Sequence, residues 1–238
     1  MKKRYLRLAA LTAGVLLAAQ TGLSAAALST FDAAYYAAQY PDVAAVCGND
    51  EGALLRHYLD HGIDEGRKPS ADGIAGDDEL SLTEAQFSSV WSPVAINKLA
   101  HYKSLKCKCT DEEFAQAYQE ALKVVTPLAL MSREDQLYGI ASALRAVVDD
   151  GSMAYSMEAN HYNDPYGYFV LRTASCAGCA RATALCLDIL GIPYEHVNEN
   201  QYSHQWCRVP MEDGSYWICD AFGLYCGPEP EPYQHPYF

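Results

Sequence analysis

Positive charge is scarce in this chain. Thirty acidic residues stand against 17 Lys and Arg, for a formal charge of −13. Four of the cations, Lys2, Lys3, Arg4 and Arg7, crowd the extreme N-terminus. A surface this acidic repels phosphate backbones and anionic lipid headgroups, which disfavours nucleic acid and electrostatic membrane adsorption and favours neutral or basic polypeptides as partners. Beyond the first 27 residues no apolar run is long enough to span a bilayer. There is no D-x-D-x-D-G calcium loop, and no cysteine before Cys47 to carry a lipid near the N-terminus. Charged residues make up only 20% of the chain against 50% hydrophobic, a balance that rules out a disordered chain and predicts one or two compact domains.

What is present begins with MKKRYLRLAALTAGVLLAAQTGLSAAA, a basic start, an apolar run from about Leu8 to Ala19 and an A-x-A site at Ala25 to Ala27. This reads as a signal peptide over residues 1–27, leaving an exported chain that is secreted or cell-surface and has no stable membrane insertion. All nine cysteines survive its removal, in a compartment where disulfides persist. Nine is odd, so at least one thiol stays unpaired in a monomer. Cys107-Lys-Cys109 and Cys176-x-x-Cys179 raise a four-thiolate zinc site, but the first spacing is tighter than the usual C-x₂₋₄-C. No metal and no cofactor is expected.

Residues 28–70 read as a small helical module. Thr30 is placed to cap a first helix that Pro41 ends, and Leu54, Leu55, Tyr58 and Leu59 give a second helix its apolar face. Its Tyr40-Pro-Asp-Val43, His57-Tyr58, His61-Gly62 and Glu65-Gly-Arg67 resemble a small helical module of exported bacterial proteins. His57 and His61 sit at i, i+4 but lack the carboxylate of a zincin helix, and are read as surface or packing residues. Residues 71–80 read as an acidic linker and 227–238 as a proline-rich tail. Between them, over 81–226, lies the domain that carries chemistry. Thr110-Asp-Glu-Glu113 has the form of a capping box and Ser132 caps a second helix with apolar residues at Leu137, Ile140, Ala141, Leu144 and Val148.

The C-terminal third changes character. From Ser175, a possible N-cap, a helix runs to Gly191, and Pro193 forbids continuation. Strand-like segments follow at Gln205 to Val209 and Tyr216 to Cys219. Cys176 lies in the first turn of the helix, where the dipole and unpaired amides stabilise a thiolate and can face an oxyanion. Such a nucleophile needs a base and an orienting acceptor. If the strands pair around Pro210 to Gly214, Val209 faces Ser215 and His204 faces Asp220, on the same face of the sheet. Cys176 as a half-cystine, His204 as a rim histidine and Asp220 as a turn cap are the structural alternatives. His101, His161, His196 and His235 lack such a frame and read as surface or packing residues, Trp206 and Trp217 as core aromatics. Trp91, Gln86 and Asn160 are candidates for a second oxyanion donor.

Ser175-Cys176-Ala-Gly178-Cys179-Ala180, Leu190-Gly-Ile-Pro193, His204-Gln-Trp206, Asp213-Gly-Ser-Tyr-Trp217 and Asp220 together resemble the transglutaminase-like, papain-like superfamily, over roughly residues 132–222. Two positions depart from its pattern: Ser175 where a small apolar residue is common, and Cys179 in place of an aromatic. The resemblance implies an α+β fold, with an antiparallel sheet packed on the nucleophile helix. It implies Cys176 as nucleophile, His204 as base and Asp220 as the orienting acid of a cysteine hydrolase or acyltransferase, acting on peptide or protein amides through a thioester. Cell-wall-associated peptide is one such substrate. Two other readings stand beside it: a dithiol redox protein using Cys176-x-x-Cys179, and a non-catalytic envelope-binding protein working through the 28–70 module.

Overall fold

A computed structural model describes residues 29–197, 204–223 and 225–230. The expected signal peptide at 1–27, His235 and most of the proline-rich tail lie outside the described residues. Among them, no helix is long and apolar enough to cross a membrane. The chain divides into two compact units, residues 1–92 and 93–238.

In the first unit a parallel pair of two-residue strands, β1 (Ser29–Thr30) and β2 (Leu80–Ser81), brackets helices α1 (Ala33–Gln39), α2 (Pro41–Cys47) and α3 (Glu51–His57); α4 (Glu84–Val90) follows. Asp32 rather than Thr30 caps α1, accepting from the Tyr35 amide at 2.9 Å, because Thr30 is occupied in β1. Pro41 does not merely end α1. It opens α2 at the first helical position, where its missing N–H costs nothing. Phe31, Tyr36, Leu54, Leu55, Tyr58 and Leu80 form the buried centre. The sequence motif residues close this module: Arg67 bonds both carboxylate oxygens of Asp42, at 2.8 and 3.2 Å, and lies 4.7 Å over the Tyr40 ring. His57 Nδ1 meets the Tyr36 hydroxyl at 3.1 Å, a packing role. Residues 71–80, expected as a linker, stay within this unit through buried Leu80, as does α4, and the division falls at Ser92–Pro93.

The second unit is mixed helix and sheet, the α+β class the sequence predicts. Its helices are α5 (Tyr102–Lys106), α6 (Asp111–Val125), α7 (Arg133–Asp149) and α8 (Cys176–Leu190). Thr110 and Glu113 cap α6 reciprocally, and Ser132 caps α7 through the Asp135 amide. Strands β3 (Ala154–Tyr155) and β4 (Thr173–Ala174) pair in parallel just before α8. Strands β5 (Glu195–Val197), β6 (Trp206–Pro210), β7 (Tyr216–Asp220) and β8 (Tyr225–Pro228) make an antiparallel meander in that order. Helix α8 is buried along nearly its whole length, packed on β6, α6 and α7. Buried Leu185, Ile189, Cys207, Val209 and Cys219 are part of the core between helices and sheet.

The hairpin register differs from the one expected. Pro210 pairs with Tyr216 and Cys207 with Cys219, around a loop of residues 211–215 closed by Met211 N–H to Ser215 O at 2.9 Å. The ladder is thus shifted by two residues. A shift of two preserves which side chains share a face, whereas a shift of one would have reversed them. Gly227 and Pro228, assigned to the tail, belong to β8 opposite Ile218 and Trp217.

Candidate functional site

Residues Cys176, His204 and Asp220 come from the first residue of α8, the approach to β6 and the last residue of β7. His204 and Asp220 are buried, and Cys176 is only partly so. The Nε2 atom of His204 lies 2.6 Å from Oδ2 of Asp220. The other carboxylate oxygen, Oδ1, accepts the Gly223 amide at 2.8 Å. The His204 side chain also acts on the thiol of Cys176 as a hydrogen-bond partner. The imidazole thus holds the Asp220 carboxylate through Nε2 and interacts with the Cys176 thiol as well.

The electrostatics follow from that bridge. The hydrogen bond to His204 pulls the Cys176 thiol below its ordinary pKa against the opposing effect of burial, helped by the backbone amides of Gln205 and Ala177. Burial disfavours charge on His204, yet its hydrogen bonds to Asp220 and Cys176 raise it to about 9. Both shifts favour a thiolate–imidazolium pair. Ser175 donates its hydroxyl to the Tyr162 carbonyl at 3.4 Å and makes no side-chain cap, while the Ala177 amide of the first turn serves the sulfur.

Two glycines are required by close approach. A Cβ on Gly178 would stand 2.5 Å from the Tyr162 carbonyl oxygen, so only glycine lets the first turn of α8 lie against that loop. A Cβ on Gly223 would fall on Oδ2 of Asp220 and 3.0 Å from Nε2 of His204. Gly223 was not singled out from sequence, although Asp220-Ala-Phe-Gly223 carries the signal of an Asp side chain folding back on an amide three residues on. Also missed were Phe222, whose ring lies 6.1 Å from that of His204, and the Gln205 amide. Trp206, expected in the core, is buried and also stacks on the His204 ring at 5.9 Å.

The remaining candidates are placed as follows. Cys176 and all eight other cysteines are free thiols. Buried Cys179 has its thiol pushed up to about 12, chiefly by burial. The four-thiolate grouping of Cys107, Cys109, Cys176 and Cys179 does not form. Among the described residues, the group able to hold a cation is Cys109, His161 and Asp164. His161, read as a surface or packing residue, packs against the Tyr166 ring at 5.2 Å and belongs to this group as well. His101 bonds buried Asp188 at 2.8 Å and His196 bonds Gln205 at 2.9 Å, both structural. The Gln86 amide is spent on the Phe31 carbonyl at 3.0 Å and Glu51 at 2.9 Å, and Asn160 is exposed.

Two Cys-His-Asp sets therefore share one composition, the one a cysteine-nucleophile triad uses. Their geometries differ. In the second set both Sγ of Cys109, at 4.0 Å, and Oδ2 of Asp164, at 2.8 Å, approach the same nitrogen, Nδ1 of His161. That is convergence on a point, not a relay through a ring. Burial and the Asp164 carboxylate push the Cys109 thiol up to about 12. Compared with known proteins, the chain matches no family model and no curated protein.

Proposed function

We propose that this chain is an exported acyl-transfer enzyme in which Cys176, His204 and Asp220 act as nucleophile, base and orienting acid on peptide or protein amides. The observation that carries the reading is the single imidazole held between a carboxylate and a thiol whose pKa is lowered, at the start of a long helix. The sulfur of Cys176 attacks the amide carbonyl, and the C–N bond breaks as His204 gives its proton to the leaving amine. A thioester remains. Water, deprotonated by His204, attacks it and releases acid and thiol, or an amine attacks and a new amide forms.

Backbone amides at the tip of α8 supply donors for the tetrahedral oxyanion. The motif resemblance to transglutaminase-like and papain-like enzymes agrees with this order of residues, and the leader-like first 27 residues agree with export. An aromatic rim supports a polypeptide substrate: exposed Tyr155 stacks on Phe222 at 5.6 Å, beside His204. A dithiol mechanism leaves the His204–Asp220 pair without a task.

The test is trapping. Incubation of the full-length chain with a small activated acyl ester, followed by peptide mass mapping, is expected to place one acyl group on Cys176, discharged by added amine. Acyl groups on other thiols, with Cys176 unmodified, overturn the reading.

A further inference from the structure

Separate from the proposed nucleophile, three side chains of soft and hard ligand type meet in the interior of the second unit. Cys109 immediately precedes the cap of α6, and His161 and Asp164 lie in the segment between α7 and α8. Their ligand atoms all lie within 4.8 Å of one another. Cys109 is 5% exposed, the Asp164 side chain is fully buried and that of His161 is 18% exposed.

We propose that Cys109, His161 and Asp164 bind a structural divalent cation of the zinc type, which fastens the loop beneath the nucleophile helix. Thiolate, imidazole and carboxylate are the ligand types zinc takes. Sγ of Cys109 and Oδ2 of Asp164 both approach Nδ1 of His161, so the three donor atoms face one another, and each ligand is also held from its outer side. Oδ1 of Asp164 accepts the Gly167 amide at 3.0 Å. The Tyr166 amide is directed at the sulfur. On the far side of the imidazole, Nε2 of His161 faces Oε1 of Glu113 at 3.8 Å, while Oε2 of Glu113 is fixed by the Thr110 amide at 2.8 Å. A carboxylate behind a ligating histidine is the arrangement that fixes its tautomer and orientation.

Charge points the same way. A thiol, an imidazole and a carboxylate whose ligand atoms all lie within 4.8 Å of one another suit a divalent cation. On binding, Cys109 loses its proton to solvent as the sulfur–metal bond forms, and thiolate plus carboxylate neutralise a divalent charge.

The site has a structural purpose. The Tyr162 carbonyl, next to His161, accepts the Ser175 amide at 2.8 Å and is the atom against which Gly178 packs. A cation linking Cys109 to His161 and Asp164 therefore fixes the platform on which the first turn of α8 rests.

The experiment titrates chelator-stripped full-length chain with Co²⁺ alone, then competes it with Zn²⁺. One Co²⁺ per chain is expected, with a thiolate-to-cobalt charge-transfer band that Zn²⁺ abolishes. Cys109→Ser removes the band, and Asp164→Asn and His161→Gln, which retain the thiol, weaken Co²⁺ binding by about tenfold or more. Cys176→Ala leaves band and affinity unchanged, so the result is independent of the proposed catalytic reading. Variant folding is checked by far-ultraviolet circular dichroism, and Asp164→Asn decides the matter if Cys109→Ser does not fold. Failure of the wild-type chain to bind Co²⁺ stoichiometrically, or a band that persists in Cys109→Ser and disappears in Cys176→Ala, overturns the proposal.

Discussion

Asp220 reaches His204 diagonally across the hairpin. In the observed register Trp206 is the residue that continues the ladder opposite Asp220, and His204 lies two residues further on, yet Oδ2 and Nε2 approach to 2.6 Å. Side chains two residues apart share a face, which is why the contact survives a register different from the expected one.

Replacing this carboxylate separates orientation from charge. Asp220→Asn keeps the shape but removes the negative charge that raises His204, so the imidazole pKa falls from about 9 while the Cys176 thiol rises. Turnover of an activated acyl substrate is expected to drop by about 10²–10⁴-fold, the range of general-base catalysis. Its pH profile narrows, the acid limb moving up and the alkaline limb moving down. An unchanged profile contradicts the role given to Asp220.

Gly223→Ala is expected to act through the same bond. The new methyl group falls on the Asp220 carboxylate, so the His204–Asp220 contact must open. The expected outcome is loss of turnover comparable to Asp220→Asn, with the thermal midpoint changed far less than by a core truncation such as Leu185→Ala, which costs about 2–5 kcal/mol. Equal losses of stability in the two variants would show that Gly223 serves the fold alone.

Cys179→Ala distinguishes acyl transfer from dithiol exchange. The Cys179 thiol is buried and held at about 12, and takes no part in the proposed chemistry. Acyl transfer should stay within about threefold of wild type, since removal of a group outside the transition state leaves kcat/KM nearly unaltered. Loss of all activity together with loss of a Cys176–Cys179 disulfide on oxidation would favour the redox reading.

Local signals proved the most legible part of the sequence. The capping box at Thr110 and Glu113, the Ser132 cap and the α8 helix were readable because each rests on residues within a turn of one another. Cys176, His204 and Asp220 were readable as parts of ordered motifs, although only a fold brings these residues together. Register was not, because both ladders use a five-residue stretch as their loop and differ only in where it begins. Strands β5 and β8 were missed because Glu195–Val197 and Tyr225–Pro228 are too short for alternation to be visible. The meeting of Cys109 with His161 and Asp164 was invisible for another reason. Its two halves are some fifty residues apart and no local pattern joins them.

The central claim is a thiolate on Cys176 sustained by His204, and the pH dependence of iodoacetamide alkylation at Cys176 tests it most directly. Reaction should begin below the ordinary thiol pKa of about 8.5, with a second inflection near 9 as the imidazolium loses its proton. In His204→Gln a single rise at or above the ordinary value is expected. A wild-type profile with one ordinary thiol titration, unchanged by His204→Gln, would contradict the account.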